Sequence, residues 1–157
     1  MRIMVISDTH GNYPLAVRAF DLAAGIDCVI HLGDGADDAA LVAQITGIEV
    51  ILVAGNCDPG SNAPRELVWE CEGKRLLLTH GDRYGVKAGL AKLERRGVEA
   101  GADVVLFGHT HRPIITSRYD ILFVNPGTLM GTGRDATFAI MEITSGGISA
   151  RICNFPS

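Results

Sequence analysis

Short apolar runs alternate along the chain with stretches whose apolar residues recur every three or four positions. The first run is Ile3–Ile6. Leu15, Ala19, Leu22 and Ala23 then follow at helical spacing, which predicts a helix from about Pro14 to Ala24 stopped by Gly25. A second run, Cys28–Leu32, and a short helix around Asp38–Ile45 lead to a third run, Val50–Ala54. Strand, helix, strand, helix, strand predicts a parallel βαβ core with right-handed crossovers.

The middle of the chain changes pattern. Glu66–Cys71 and Arg75–Thr79 flank Glu72-Gly73-Lys74, a hairpin signal. A helix is expected from about Val86 to Arg96, with Val86, Leu90 and Leu93 on one face, and then a run at Val104–Phe107. The last part reads as a β-meander: Ile114–Ser117, Ile121–Val124, Thr137–Ile143 and Ile148–Cys153, with turns at Arg118-Tyr119-Asp120 and Ser145-Gly146-Gly147. Together these elements predict an α/β protein with two sheets packed face to face and helices outside.

A chain of 157 residues reads as one domain, 1–157, large enough to bury a core. With 47% hydrophobic and 20% charged residues it has the composition of a globular protein. Net charge is -4 and the cations are scattered, which argues against an extended nucleic-acid surface. No apolar run is long enough to span a membrane, and MRIMVISD reaches an aspartate too early for a signal peptide. Cys28, Cys57, Cys71 and Cys153 form no C-x-x-C pair, and the simplest expectation is free thiols in a reducing cytoplasm.

The chemistry sits just after the apolar runs. Ile6 is followed by Ser7-Asp8-Thr9-His10-Gly11, Leu32 by Gly33-Asp34-Gly35, and Ala54 by Gly55-Asn56-Cys57-Asp58. Thr79 opens His80-Gly81-Asp82, and Phe107 is followed by Gly108-His109-Thr110-His111. Ligands bind at the carboxyl ends of strands in open α/β sheets. In extended backbone, residues two apart point the same way, so Asp8/His10 and His109/His111 can each serve one site. Four of the five histidines lie in these loops. Asp8, His10, Asp34, Asn56, His80, His109 and His111 offer seven N and O donors, too many for one open tetrahedral zinc site. Mixed imidazole and carboxylate ligands suit Mn, Fe, Ni, Zn or Co rather than Ca or Mg.

The order Asp8-x-His10, Gly33-Asp34, Gly55-Asn56, His80-Gly81 and Gly108-His109-x-His111 resembles the calcineurin-like metallophosphoesterases. Gly55-Asn56-Cys57-Asp58, Asn125-Pro126-Gly127 and the small size resemble its compact, YfcE-like phosphodiesterase branch. That resemblance implies a four-layer αββα sandwich, with two mixed β-sheets flanked by helices. It implies one metal on Asp8, His10, Asp34 and His111, and another on Asp34, Asn56, His80 and His109, with Asp34 bridging. The metals are expected to be divalent, Mn2+ first, with Ni2+, Co2+, Fe2+ or Zn2+ as alternatives. The implied reaction is hydrolysis of a small phosphodiester by a bridging hydroxide. Two dications less Asp8 and Asp34 leave a charge of about +2 to meet a phosphate anion.

His109, Asn56 and Cys57 are the candidate catalytic residues. Many relatives carry a histidine where this chain has Cys57, a residue thought to protonate the leaving group or hold the phosphate. A thiolate cannot donate a proton, so slow turnover and a preference for good leaving groups are expected. The alternative is that Cys57 fills space. His31 is expected to be a packed strand histidine, with support of a metal ligand as the alternative, and Asp58 a turn residue, with orientation of a neighbouring loop as the alternative; Asn12 is expected to cap a helix, Asp37-Asp38 to start one, and Asn125-Pro126-Gly127-Thr128 to form a structural turn near the site. The arginine motif of the protein-phosphatase branch is absent after Asp34, where Gly35-Ala36-Asp37-Asp38 stands. The competing function is a catalytically impaired interaction scaffold resembling Vps29, disfavoured by the complete donor set. A homodimer fits family habit and base rates, without a legible interface.

Overall fold

The computed structural model describes all 157 residues. The first half builds strand β1 (Arg2–Ile6), helix α1 (Tyr13–Leu22), β2 (Cys28–His31), α2 (Ala36–Thr46) and β3 (Val50–Leu52). The hairpin β4 (Glu66–Cys71) and β5 (Lys74–Thr79) comes next, then a short 3₁₀ turn at Asp82–Tyr84. Helix α3 (Ala91–Ala100), β6 (Val104–Leu106), β7 (Ile114–Arg118), β8 (Ile121–Asn125), β9 (Thr137–Thr144) and β10 (Gly147–Asn154) complete the chain.

Two mixed five-stranded sheets result, ordered β10-β9-β1-β2-β3 and β4-β5-β6-β8-β7. β1, β2 and β3 run parallel, as do β5, β6 and β8. Strand alternation builds the layers. Ile3 and Val5 of β1 join Leu76 and Leu78 of β5 and Val104 and Leu106 of β6 in the core between the sheets. Met4 and Ile6, on the opposite face of β1, pack with Leu15, Ala16 and Ala19 of α1 and Val42 of α2. Leu77 and Val105, on the opposite face of the second sheet, pack with Leu93 of α3. This is the α–β–β–α order that two-faced burial of period-two strands demands. Fully burying a leucine such as Leu106 contributes about 2 kcal/mol.

Two elements differ from the pattern read in the sequence. The last four strands are not one meander: β7 and β8 finish the second sheet, and β9 then crosses to pair antiparallel with β1. Alternation identifies a strand but not its partner. Helix α3 starts at Ala91 rather than Val86, because Gly85 and Gly89 take positive φ, and it runs past Arg96 to Ala100. Gly97 lies inside it against Val105 and Phe123, so the glycine serves close helix–sheet packing instead of ending the helix.

Candidate metal centre

The strand order brings the chemistry-bearing loops together. β1, β2 and β3 are neighbours, and their carboxyl ends carry Asp8/His10, Asp34 and Asn56. β5 and β6 are neighbours in the facing sheet, and their ends carry His80 and His109/His111. Six of the seven donor residues converge in two groups. Asp8, His10 and His111 present ligand atoms within 4.8 Å of one another, and so do Asp34, His80 and His109.

Hydrogen bonds orient each donor. Asp8 Oδ2 accepts from Ser7 Oγ at 2.5 Å and from His109 N at 3.1 Å. Its Oδ1 is left facing His111 Nε2 at 3.1 Å and His10 Nε2 at 3.7 Å. Asp34 Oδ1 accepts from Cys57 N at 2.8 Å, while Oδ2 faces His80 Nε2 at 3.3 Å and His10 Nε2 at 3.7 Å. His80 Nδ1 lies 2.8 Å from the Leu32 carbonyl, which can only accept, so Nδ1 carries the proton. In the neutral ring Nε2 then presents a lone pair, 3.1 Å from His109 Nδ1. Both carboxylates thus commit one oxygen to the protein and aim the other at imidazole nitrogens. That is the arrangement a cation would complete, and these residues fit divalent ions.

The backbone is strained at the same place. Eight non-glycine residues have positive φ; five of them are Asp8, His10, Asp34, His109 and His111. The other three, Glu72, Tyr119 and Asp120, sit in hairpin turns. Left-handed backbone at a non-glycine residue costs of order 1–3 kcal/mol, and such strain gathers at functional sites. Two glycines permit the close approach: a Cβ on Gly55 would strike the Asp34 carboxylate, and one on Gly108 would lie 2.9 Å from Asp8 Oδ2.

Asn56 and Cys57 are exposed in the loop after β3. The Asn56 amide donates to Cys57 Sγ at 3.5 Å. Cys57 Sγ, His10 and Asp34 form a third cluster within the same 4.8 Å limit, so the thiol stands at the centre itself. Desolvation, then the Asp34 carboxylate, push the Cys57 thiol above its usual pKa. Burial, then the charges of His80 and Lys87, hold His109 below the usual histidine range.

Several residues read as local structure in the sequence act on the site. Asp58 accepts the backbone N–H groups of Asp34, Gly35, Ala36 and Gly55 at 2.7–3.0 Å, and so fixes two ligand loops. Burial alone would raise its pKa; the four donors overcome this and hold it low. Asn12 makes no side-chain cap on α1. Its amide donates to the carbonyls of Leu129 and Gly131 and pins that segment beside the first loop. Asp38 is buried in α2 and accepts from Thr9 Oγ1 at 2.5 Å and Gly11 N at 2.8 Å. His31 is fully buried and joins this relay through Thr9 Oγ1 at 3.0 Å. Beyond β8, Asn125 Nδ2 donates to the Gly108 carbonyl and Thr110 Oγ1, and Thr128 Oγ1 donates to the Asp8 carbonyl. Asp82 pairs with Arg65, next to His80.

The profile of the calcineurin-like phosphoesterase superfamily domain matches residues 1–146, and the chain belongs to that superfamily. It is 37% identical over 131 residues to the probable metallophosphoesterase MJ0623 of Methanocaldococcus jannaschii, covering 82% of this chain and 68% of that protein. It is 31% identical over 168 aligned positions to phosphodiesterase YfcE of Escherichia coli, covering 90% and 88%. Among solved structures, a conserved protein from Streptococcus pneumoniae, a predicted phosphoesterase, superposes with a TM-score of 0.81 at 28% identity, covering 98% of this chain and 88% of that one. A Vps29 from Entamoeba histolytica superposes with a TM-score of 0.78 at 19% identity, covering 99% and 100%, a likeness of fold alone. Membership of the superfamily implies divalent metal ions, in keeping with the donor chemistry. No helix is long and apolar enough to cross a membrane.

Proposed function

We propose that this protein is a phosphodiesterase that works with two divalent metal ions. The observation that carries this reading is the pair of clusters Asp8/His10/His111 and Asp34/His80/His109, each with ligand atoms within 4.8 Å. Asp8, His10, Asp34 and His111 would hold one ion and Asp34, Asn56, His80 and His109 the other, with Asp34 common to both. Mn2+ is the first choice. Ions held there would supply hydroxide near neutral pH and offset negative charge on the phosphate oxygens.

The chain's own residues orient and select. His80 keeps its proton on Nδ1 through the Leu32 carbonyl and offers Nε2 alone. Asp58 and the Cys57 N–H hold Asp34 in place. The loop after Asp34 offers Gly35, Ala36 and Asp37 and no arginine to grip a monoester dianion, which favours a diester. Cys57 stands where a proton donor to the leaving group would be useful; two cations bound beside it would favour the thiolate, which supplies none. The catalytic reading accounts for the filled donor set better than the scaffold reading does, since a scaffold has no need of five ligands in left-handed backbone.

The test is hydrolysis of bis-p-nitrophenyl phosphate beside p-nitrophenyl phosphate, on metal-stripped protein with and without Mn2+. Metal-dependent cleavage that favours the diester is the expected result. Inactivity with Mn2+, Ni2+, Co2+ and Zn2+, despite bound metal, would move the reading to the scaffold.

A further inference from the structure

A cavity of about 640 Å³ adjoins the centre, and the donor clusters do not account for it. Its apolar wall comes from Val86, Leu90, Phe107 and Ile114, and two cations, Lys87 and Arg112, line it as well. The wall on the metal side is Thr110, the residue between His109 and His111. Thr110 is held there by Asn125 Nδ2 at 3.0 Å and the Arg112 N–H at 3.2 Å. It is a cleft open to solvent, with a volume in the range of small-molecule sites.

Its charged lining is cationic. The protein is acidic overall, at -4, yet no carboxylate lines this cavity. The arginines that form ion pairs are Arg2, Arg65, Arg75, Arg96 and Arg118, all elsewhere. Lys87 and Arg112 have no anionic partner within the protein. Two unpaired cations beside an apolar wall fit a ligand with an apolar body and an anionic end. Thr110 links the two features, since its neighbours His109 and His111 belong to the two donor clusters and Thr110 itself lines the cavity.

We propose that the cavity seats one arm of the phosphodiester substrate, an apolar-bodied arm that carries a second anionic group, and that Lys87 and Arg112 recognise that anion. This rests on the phosphodiesterase reading and narrows it: the substrates are diesters bearing a further phosphate or carboxylate.

The experiment uses two esters that differ by one phosphate: thymidine 5′-(p-nitrophenyl phosphate) with and without a 3′-phosphate. We expect kcat/KM to rise about tenfold when the 3′-phosphate is present. The Lys87→Met/Arg112→Met double variant should bring that ratio to about one. A wild-type ratio near one, or a ratio that survives in the variant, overturns the proposal while leaving the phosphodiesterase reading intact. Should the wild type cleave neither ester with any metal, that reading fails on its own. The cavity is then judged by the binding of thymidine 3′,5′-bisphosphate. Affinity about tenfold weaker in the double variant supports an anion site, and equal affinity overturns it.

Discussion

Asp58 Oδ2 accepts the backbone N–H of Asp34 at 2.7 Å, so a residue outside both donor clusters holds the one carboxylate of the second cluster in position. Its two oxygens also take the N–H groups of Gly35, Ala36 and Gly55. Asp58→Ala leaves these donors without their acceptor. We expect a loss of about 2–4 kcal/mol in urea unfolding of the metal-free protein. We also expect metal affinity to fall about 10–100-fold by titration. Unchanged metal affinity would make Asp58 a turn residue and nothing more.

The relay behind the first loop has a pH signature. Burial lowers His31 from 6.5 to about 4. The Gly33 N–H also points at Nδ1 at 3.1 Å, which leaves no room for a second ring proton. The folded state therefore resists protonation that the unfolded chain accepts. Stability is lost as pH falls from about 6.5 to about 4, by about 3 kcal/mol in total, with nothing further from this group below that. Chemical unfolding of metal-free protein across this window should show the slope, and His31→Gln should flatten it. An equal slope in the variant would assign the effect to other groups.

Cys57 separates two chemistries. We expect Cys57→Ala to change kcat by less than about threefold on diesters of both p-nitrophenol and an alkyl alcohol, because a thiolate beside bound cations passes no proton. Cys57→His should raise the rate for the alkyl leaving group by about tenfold or more and do little for p-nitrophenol. A loss in the alanine variant confined to the alkyl ester would identify Cys57 as the proton donor.

The donor set was legible because each of its loops follows a short apolar run, and parallel strands gather those ends. Asp8, Asp34, His80 and His109 needed no knowledge of the fold beyond that. The partners of their supporting residues were not legible. Asp58 reaches across to Asp34, Asn12 to Leu129 and Gly131, and Asn125 to Gly108 and Thr110. Each polar residue also suits a local turn or cap, and one chain gives no sign of which long-range partner prevails. The crossing from β8 to β9 was hidden for the same reason, since alternation is identical in either sheet.

The most direct test of the two-ion centre is a count of Mn2+ per chain on stripped protein, with bis-p-nitrophenyl phosphate hydrolysis measured in the same samples. We expect two ions per chain, with activity appearing as the second binds. Asp34→Asn should lose at least one ion and at least about 100-fold in rate, because its Oδ2 faces His10 of one cluster and His80 of the other. Full activity with a single ion bound, or two ions bound with no diester cleaved, would contradict the two-metal phosphodiesterase.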